Sequence, residues 1–165
     1  MLNDEVIRRY LEQTIDLAQK GLEKKNYPIG AIIVNSKSVV LAASHNECAT
    51  KHDITAHAEL LCIKNVGLKI DKDDEGDNIL FVSLEPCFGC SFFIDRTNIR
   101  RIYWALKDPH KGGIGDLKKR SMFRDFFSTI ELISEPFEDL KIKSRKLMKN
   151  YFLSKGNTKA AKLYD

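Results

Sequence analysis

Residues 79–90, Ile79-Leu80-Phe81-Val82-Ser83-Leu84-Glu85-Pro86-Cys87-Phe88-Gly89-Cys90, pass from one kind of patterning to another. Residues 79–83 form a short, nearly continuous apolar run of strand length. Pro86, with its fixed φ and missing N–H, suits the first position of a helix, and the pattern carries that helix to about Thr97. A second apolar run at 102–106 follows, so the segment reads strand, helix, strand. Upstream, a helix starts near Ala56 and stops at Gly67, a residue suited to a C-terminal cap. Before it, runs at 29–34 and 39–43 flank Asn35-Ser36-Lys37 as a β-hairpin, and 44–55 is a polar connection. The first element is an amphipathic helix, with Asn3 as cap and Ile7, Leu11, Ile15, Ala18 and Leu22 at helical spacing until Asn26-Tyr27-Pro28 breaks it. Downstream come an acidic surface loop at 71–77, a Gly-rich loop at 107–116, a fifth strand at 130–133 and a basic helix at 137–153. The sum is an α/β fold with a five-stranded sheet, in one domain over 1–156 followed by a flexible basic tail at 157–165.

Composition narrows the class. At 43% hydrophobic and 30% charged residues the chain is neither disordered nor membrane-embedded, and its start does not read as a signal peptide. A cytoplasmic location is the expectation. Four cysteines, Cys48, Cys62, Cys87 and Cys90, are few for a disulfide framework, and Cys-x-x-Cys in such a setting points to metal or redox chemistry. The net charge of +4 is unevenly distributed: residues 1–95 carry 10 Lys/Arg against 15 Asp/Glu, and 96–165 carry 17 against 8. A basic half suits a polyanionic partner or is a solvated surface.

Two fragments carry the chemistry, His57-Ala58-Glu59 and Pro86-Cys87-Phe88-Gly89-Cys90. Each opens a predicted helix, where the dipole favours thiolate over thiol. Cys87 and Cys90, at i and i+3, share a helix face, and His57 is a third donor. Three protein ligands leave zinc an open position for water, the arithmetic of a catalytic rather than a structural site. Water acidified there becomes a nucleophile near neutral pH, and Glu59 is the candidate for moving its proton. Spacing alone does not bring Glu59 to that water, because i and i+2 diverge on a helix. Taken singly, the Cys pair fits a redox or structural-zinc role, and His57 a cap or core histidine. Cys48 and Cys62 would complete a four-Cys site only at a spacing that fits no common zinc finger.

The segments Pro28-Ile29-Gly30-Ala31, residues 52–60 and residues 83–90 resemble the cytidine deaminase-like superfamily, and within it the bacterial tRNA-adenosine deaminase type. The likeness continues through 102–106, the loop 108–113 and the last helix. It implies a three-layer α/β/α fold with a mixed sheet, a homodimer and one Zn2+ per chain. By position it makes His57, Cys87 and Cys90 the metal ligands and Glu59 the catalytic proton carrier. It assigns Asn46 to the base, Ile29 to packing under the ring, the backbone of Ala58 and of Leu84-Glu85 to the base, and Asp108 to a nearby nucleotide. Asn46 is equally an Asx turn after the hairpin. The chain departs from the family with Ser91-Phe92-Phe93 where small residues follow the second Cys, Gly89 for a usual Met, Ile54 for a Pro, and Ile114-Gly115-Asp116 for Gly-Ser.

The activity so implied is hydrolytic deamination of adenosine to inosine in a tRNA anticodon loop. Arg96, Arg100, Arg101, Lys111, Lys118, Lys119 and Arg120 would meet the phosphates. A free base or nucleoside of guanine or cytosine type is the alternative substrate. A catalytically silent zinc-binding partner subunit is the alternative of another class.

Overall fold

In the computed structural model, residues 2–70, 77–109, 113–123 and 125–165 are described. The acidic loop apart from Asp77, and Lys111 with its neighbours in the Gly-rich loop, lie outside them. Helix α1 (Asp4–Glu23) starts where expected, Asn3 accepting the N–H of Val6 at 2.9 Å, and buries Ile7, Tyr10, Leu11, Ile15 and Ala18. Strands β1 (Gly30–Val34) and β2 (Val40–His45) pair antiparallel. The Asn35 carboxamide oxygen accepts the N–H groups of Lys37 and Val39, each at 3.0 Å, and so closes the hairpin. Strands β3 (Asn78–Val82), β4 (Ile99–Trp104) and β5 (Glu131–Ser134) complete one sheet in the order β2-β1-β3-β4-β5. β3 runs antiparallel to β1, while β3, β4 and β5 run parallel to one another.

Alternation along the central strands sorts the core into layers. Ala31, Ile33, Leu80, Val82, Ile102 and Trp104 face α3 (Ala58–Val66), α4 (Phe88–Asp95) and α5 (Ile114–Lys119). Ile32, Val34, Ile79, Phe81 and Tyr103 face α1 and the start of α6 (Glu138–Ser154). Both faces are therefore covered, which is why the three middle strands read as apolar runs rather than as alternation. The three-layer α/β/α expectation holds.

Four local expectations change. Pro86 is not the first residue of α4: Cys87 is the cap, in extended geometry, and the helix begins at Phe88. The Pro86 carbonyl instead accepts the N–H of Ile114, which draws the Gly-rich loop in, and that loop ends in α5 rather than remaining irregular. The polar connection contains the short helix α2 (Cys48–Lys51), ended by His52 at a left-handed φ of 51°. Residues 157–165 are not a loose tail. Gly156, at a φ of 69° that a side chain resists, turns the chain, and Asn157 caps α7 (Thr158–Ala161) through the Ala160 N–H at 3.0 Å. Ala160, Ala161 and Tyr164 then bury against Leu84, Leu106, Met148 and Phe152, while Lys159 and Lys162 stay in solvent.

Candidate active site

The site lies where α3 and α4 begin, at the ends of β1 and β3. Residues 53–57 are set by local bonds: the Asp53 carboxylate accepts both the N–H and the hydroxyl of Thr55, and the His57 N–H donates to the Thr55 carbonyl at 2.7 Å. His57 becomes the cap of α3 with φ −69° and ψ 148°. That extended geometry removes the obstacle seen in the sequence. His57 stands before the first helical turn, so it and Glu59 are not two positions of one helix wheel, and both face the same cavity.

The three expected ligands meet. His57 Nδ1 lies 3.4 Å from Cys90 Sγ and 3.7 Å from Cys87 Sγ, and all three donor atoms fall within 4.8 Å of one another. Donors at roughly 2.0–2.3 Å around a tetrahedral ion stand about 3.5 Å apart, so the spacing fits zinc. The thiols complement each other as a metal pair should. The Cys90 hydrogen bond, followed by that of His57, holds the Cys87 thiol down at about 4, and the resulting thiolate drives the Cys90 thiol upward. A dication resolves the mismatch by taking both as thiolates. Among the described residues Cys62 stands outside the donor cluster, and its Sγ donates to the Ala31 carbonyl.

Glu59 is 3% exposed, and burial pushes its carboxyl up to about 7. Among the described residues its buried Oε2 has no hydrogen-bond partner, which is costly unless a ligand supplies one. Donor chemistry, donor spacing and this orphaned oxygen all fit a metal with a protic ligand of its own.

A cavity of about 510 Å³ opens over His57 and Cys87, with Cys90 buried. Asn46, Ile29, Glu59, Asp108 and Tyr164 are among its lining residues, whereas Ala58 is fully buried at the first position of α3. The Asx turn is present, Asn46 Oδ1 accepting the Cys48 N–H at 3.1 Å, and the residue also borders the cavity. A second hollow of about 280 Å³, bordered by Lys37, Lys69, Asn78 and Asn98, is separate from this chemistry.

Sequence reading left the Glu85 side chain without a role. Its Oε1 accepts the N–H of Gly115 at 3.0 Å and its Oε2 that of Asp108 at 3.2 Å, so one buried carboxylate ties both arms of the Gly-rich loop beside Cys87. Gly113 is needed there, since a Cβ would come within 2.4 Å of the Pro86 carbonyl oxygen and 2.8 Å of Glu85 Cγ. Tyr27, Phe152 and Tyr164 were also missed, and they add aromatic walls. The apolar spacing of Tyr151, Phe152 and Tyr164 was the available signal.

The basic residues are not gathered at the cavity. Lys118 donates to the Ile130 carbonyl, Arg101 pairs with Glu131, and Arg100 donates to the Thr97 carbonyl. Lys119 and Arg120 are exposed on and just after α5, and Lys111 is outside the described residues.

Three donors would leave a bound metal one position open, and the buried Glu59 carboxylate close to them suits hydrolysis rather than structure; the class is a zinc-dependent hydrolase. Comparison with known proteins narrows it. The model of the cytidine and deoxycytidylate deaminase zinc-binding region matches residues 4–106, and the chain belongs to this family of hydrolytic deaminases. It is similar to the tRNA-specific adenosine deaminase of Aquifex aeolicus, at 32% identity over 105 residues covering 64% of this chain and 69% of that protein. It is also similar to the tRNA-specific adenosine deaminase of Rickettsia typhi, at 28% identity over 86% of this chain and 95% of that one. Among solved structures, one from work on A-to-I editing by tRNA:A34 deaminases superposes with a TM-score of 0.67 at 28% identity, over 85% of this chain and 99% of that chain.

Proposed function

We propose that the protein deaminates adenosine to inosine in the anticodon loop of a tRNA. The observation that carries the reading is the orphaned Glu59 Oε2 beside the His57–Cys87–Cys90 trio, in a chain whose likeness to tRNA-specific adenosine deaminases runs over most of its length. Zinc held by the trio supplies an acidified water when bound. Glu59, whose burial pushes its carboxyl up to about 7, would take one proton from that water and pass it to the ring nitrogen, then carry a second, from the hydroxyl added to the ring carbon, to the amine as the C–N bond breaks and ammonia leaves. The Asn46 carboxamide and the Ala58 N–H orient the base, Ile29 packs under it, and Asp108 holds the rim. Glu59 also argues against a silent zinc-binding subunit, because a structural metal has no use for a buried carboxylate with one oxygen left unsatisfied.

The working form in this reading is a cytoplasmic homodimer. Phe92 and Phe93, each 51% exposed on α4 next to the Cys90 ligand, supply an apolar face for a second copy. Lys119, in an exposed pair with Asp116 at 3.8 Å, and Arg120, exposed just after α5, are the phosphate contacts. The test compares an anticodon stem-loop with free bases as substrates for the wild type and for Lys119→Glu/Arg120→Glu. RNA turnover should fall steeply with salt and should drop further in the double variant. Rapid turnover of a free base with no inosine formed in RNA would reject the tRNA substrate.

A further inference from the structure

The cavity carries an aromatic feature that deamination itself does not use. Tyr27 sits in the turn between α1 and β1, lines the cavity and is 39% exposed. Its ring is backed by a wall: the Tyr151 ring centroid is 4.4 Å away at 35°, and Phe152 meets it edge-on at 6.0 Å and 74°. Tyr151 and Phe152 are mostly buried in α6, and Tyr164 stacks on Phe152 at 5.7 Å, so the platform is braced from behind by three rings. Two other exposed apolar residues border the same cavity, Ile54 at 87% and Phe88 at 42%. A pocket serving one small base would gain by covering such groups. A strand that enters the pocket with one nucleotide and leaves its neighbours outside has a use for them.

We propose that Tyr27 is a substrate-binding residue, a stacking platform for the base next to the deaminated nucleotide in an unpaired RNA strand. The inference rests on the tRNA reading above and goes beyond it by assigning a second base to a named residue. Stacking suits this place because every base presents a π-face, so affinity comes without choice of sequence. The ring is also preorganised. Its contacts with Tyr151 and Phe152 fix it before the RNA arrives, so little side-chain freedom remains to be lost on binding.

The experiment uses the zinc-loaded full chain with Tyr27→Leu, Tyr27→Phe and two anticodon stem-loops, carrying 2-aminopurine on the 5′ or the 3′ side of the target adenosine. Loss of one stacked base should raise KM for RNA by roughly 5- to 100-fold in Tyr27→Leu, with the loss falling on KM rather than kcat. Tyr27→Phe keeps a ring and should stay near the wild type. One of the two labelled RNAs should be quenched on binding to the wild type and to Tyr27→Phe, but not to Tyr27→Leu. Inosine formation with an unchanged KM in Tyr27→Leu, or with neither label quenched by the wild type, overturns the platform and leaves the tRNA reading standing. If the wild type converts free bases and no RNA, the tRNA reading fails and takes the platform with it.

Discussion

Replacing Glu85 by Gln isolates what one buried carboxylate does for the loop that walls the cavity. Glu85 is 2% exposed and accepts two backbone N–H groups, from Gly115 at 3.0 Å and from Asp108 at 3.2 Å. A glutamine has one oxygen for those two donors, so its NH2 must face the remaining N–H. Leaving one of these part-buried N–H groups unpaired costs up to about 1–3 kcal/mol, and the surviving bond weakens by about 1 kcal/mol once its acceptor is neutral. Against this, burial raises the Glu85 carboxyl above the usual range, so a neutral side chain recovers part of the desolvation cost. The net loss is about 1–3 kcal/mol, which at this chain length lowers Tm by roughly 2–4 °C per kcal/mol. Calorimetry of the zinc-loaded protein should show that drop. Amide exchange at Asp108 and Gly115 should speed up while zinc content is kept. A Tm within about 1 °C of the wild type, with both amides still protected, would show that the carboxylate does not hold the loop.

Other changes separate the parts of the site. Glu59→Ala should retain zinc and fold while turnover falls by about 10²–10⁴-fold, as expected when a proton carrier rather than a ligand is lost; metal analysis beside a turnover assay checks it. Gly113→Ala should destabilise by about 1–3 kcal/mol in urea unfolding, because its Cβ would meet the Pro86 carbonyl oxygen at 2.4 Å and backbone must shift; an unchanged midpoint would mean that the loop yields freely. Phe92→Glu/Phe93→Glu should convert a dimer to a monomer in light scattering at micromolar concentration, and a wild type that is already monomeric would refute the dimer.

Much of this was legible in the sequence for identifiable reasons. The central strands were found because both faces of the sheet are covered, leaving uninterrupted apolar runs such as 79–83. The ligand trio was found because its donors sit at helix starts, which leave a local signature in Cys-x-x-Cys and His-x-Glu. What stayed hidden depends on contacts distant in sequence. The role of the Glu85 side chain appears only once Gly115, 30 residues on, donates to it. Pro86 suggested a helix start, but its carbonyl was needed by Ile114, and the helix began two residues later. The tail was misread because Lys159 and Lys162 mask the spacing of Ala160, Ala161 and Tyr164, three small or aromatic residues on one side of a short helical stretch. The basic residues were read by count, and their ties to Glu131 and to backbone carbonyls are invisible to a count.

The central claim is that His57, Cys87 and Cys90 hold a zinc on which deamination depends. The most direct measurement strips the metal with a chelator, returns zinc in steps, and follows bound metal and ammonia release together, with Cys87→Ala as the control. The account predicts that activity is absent from the stripped protein and rises in proportion to bound zinc. It should level off at one zinc per chain, with neither metal nor activity regained by Cys87→Ala. Full ammonia release from metal-free protein, or from Cys87→Ala, would contradict it.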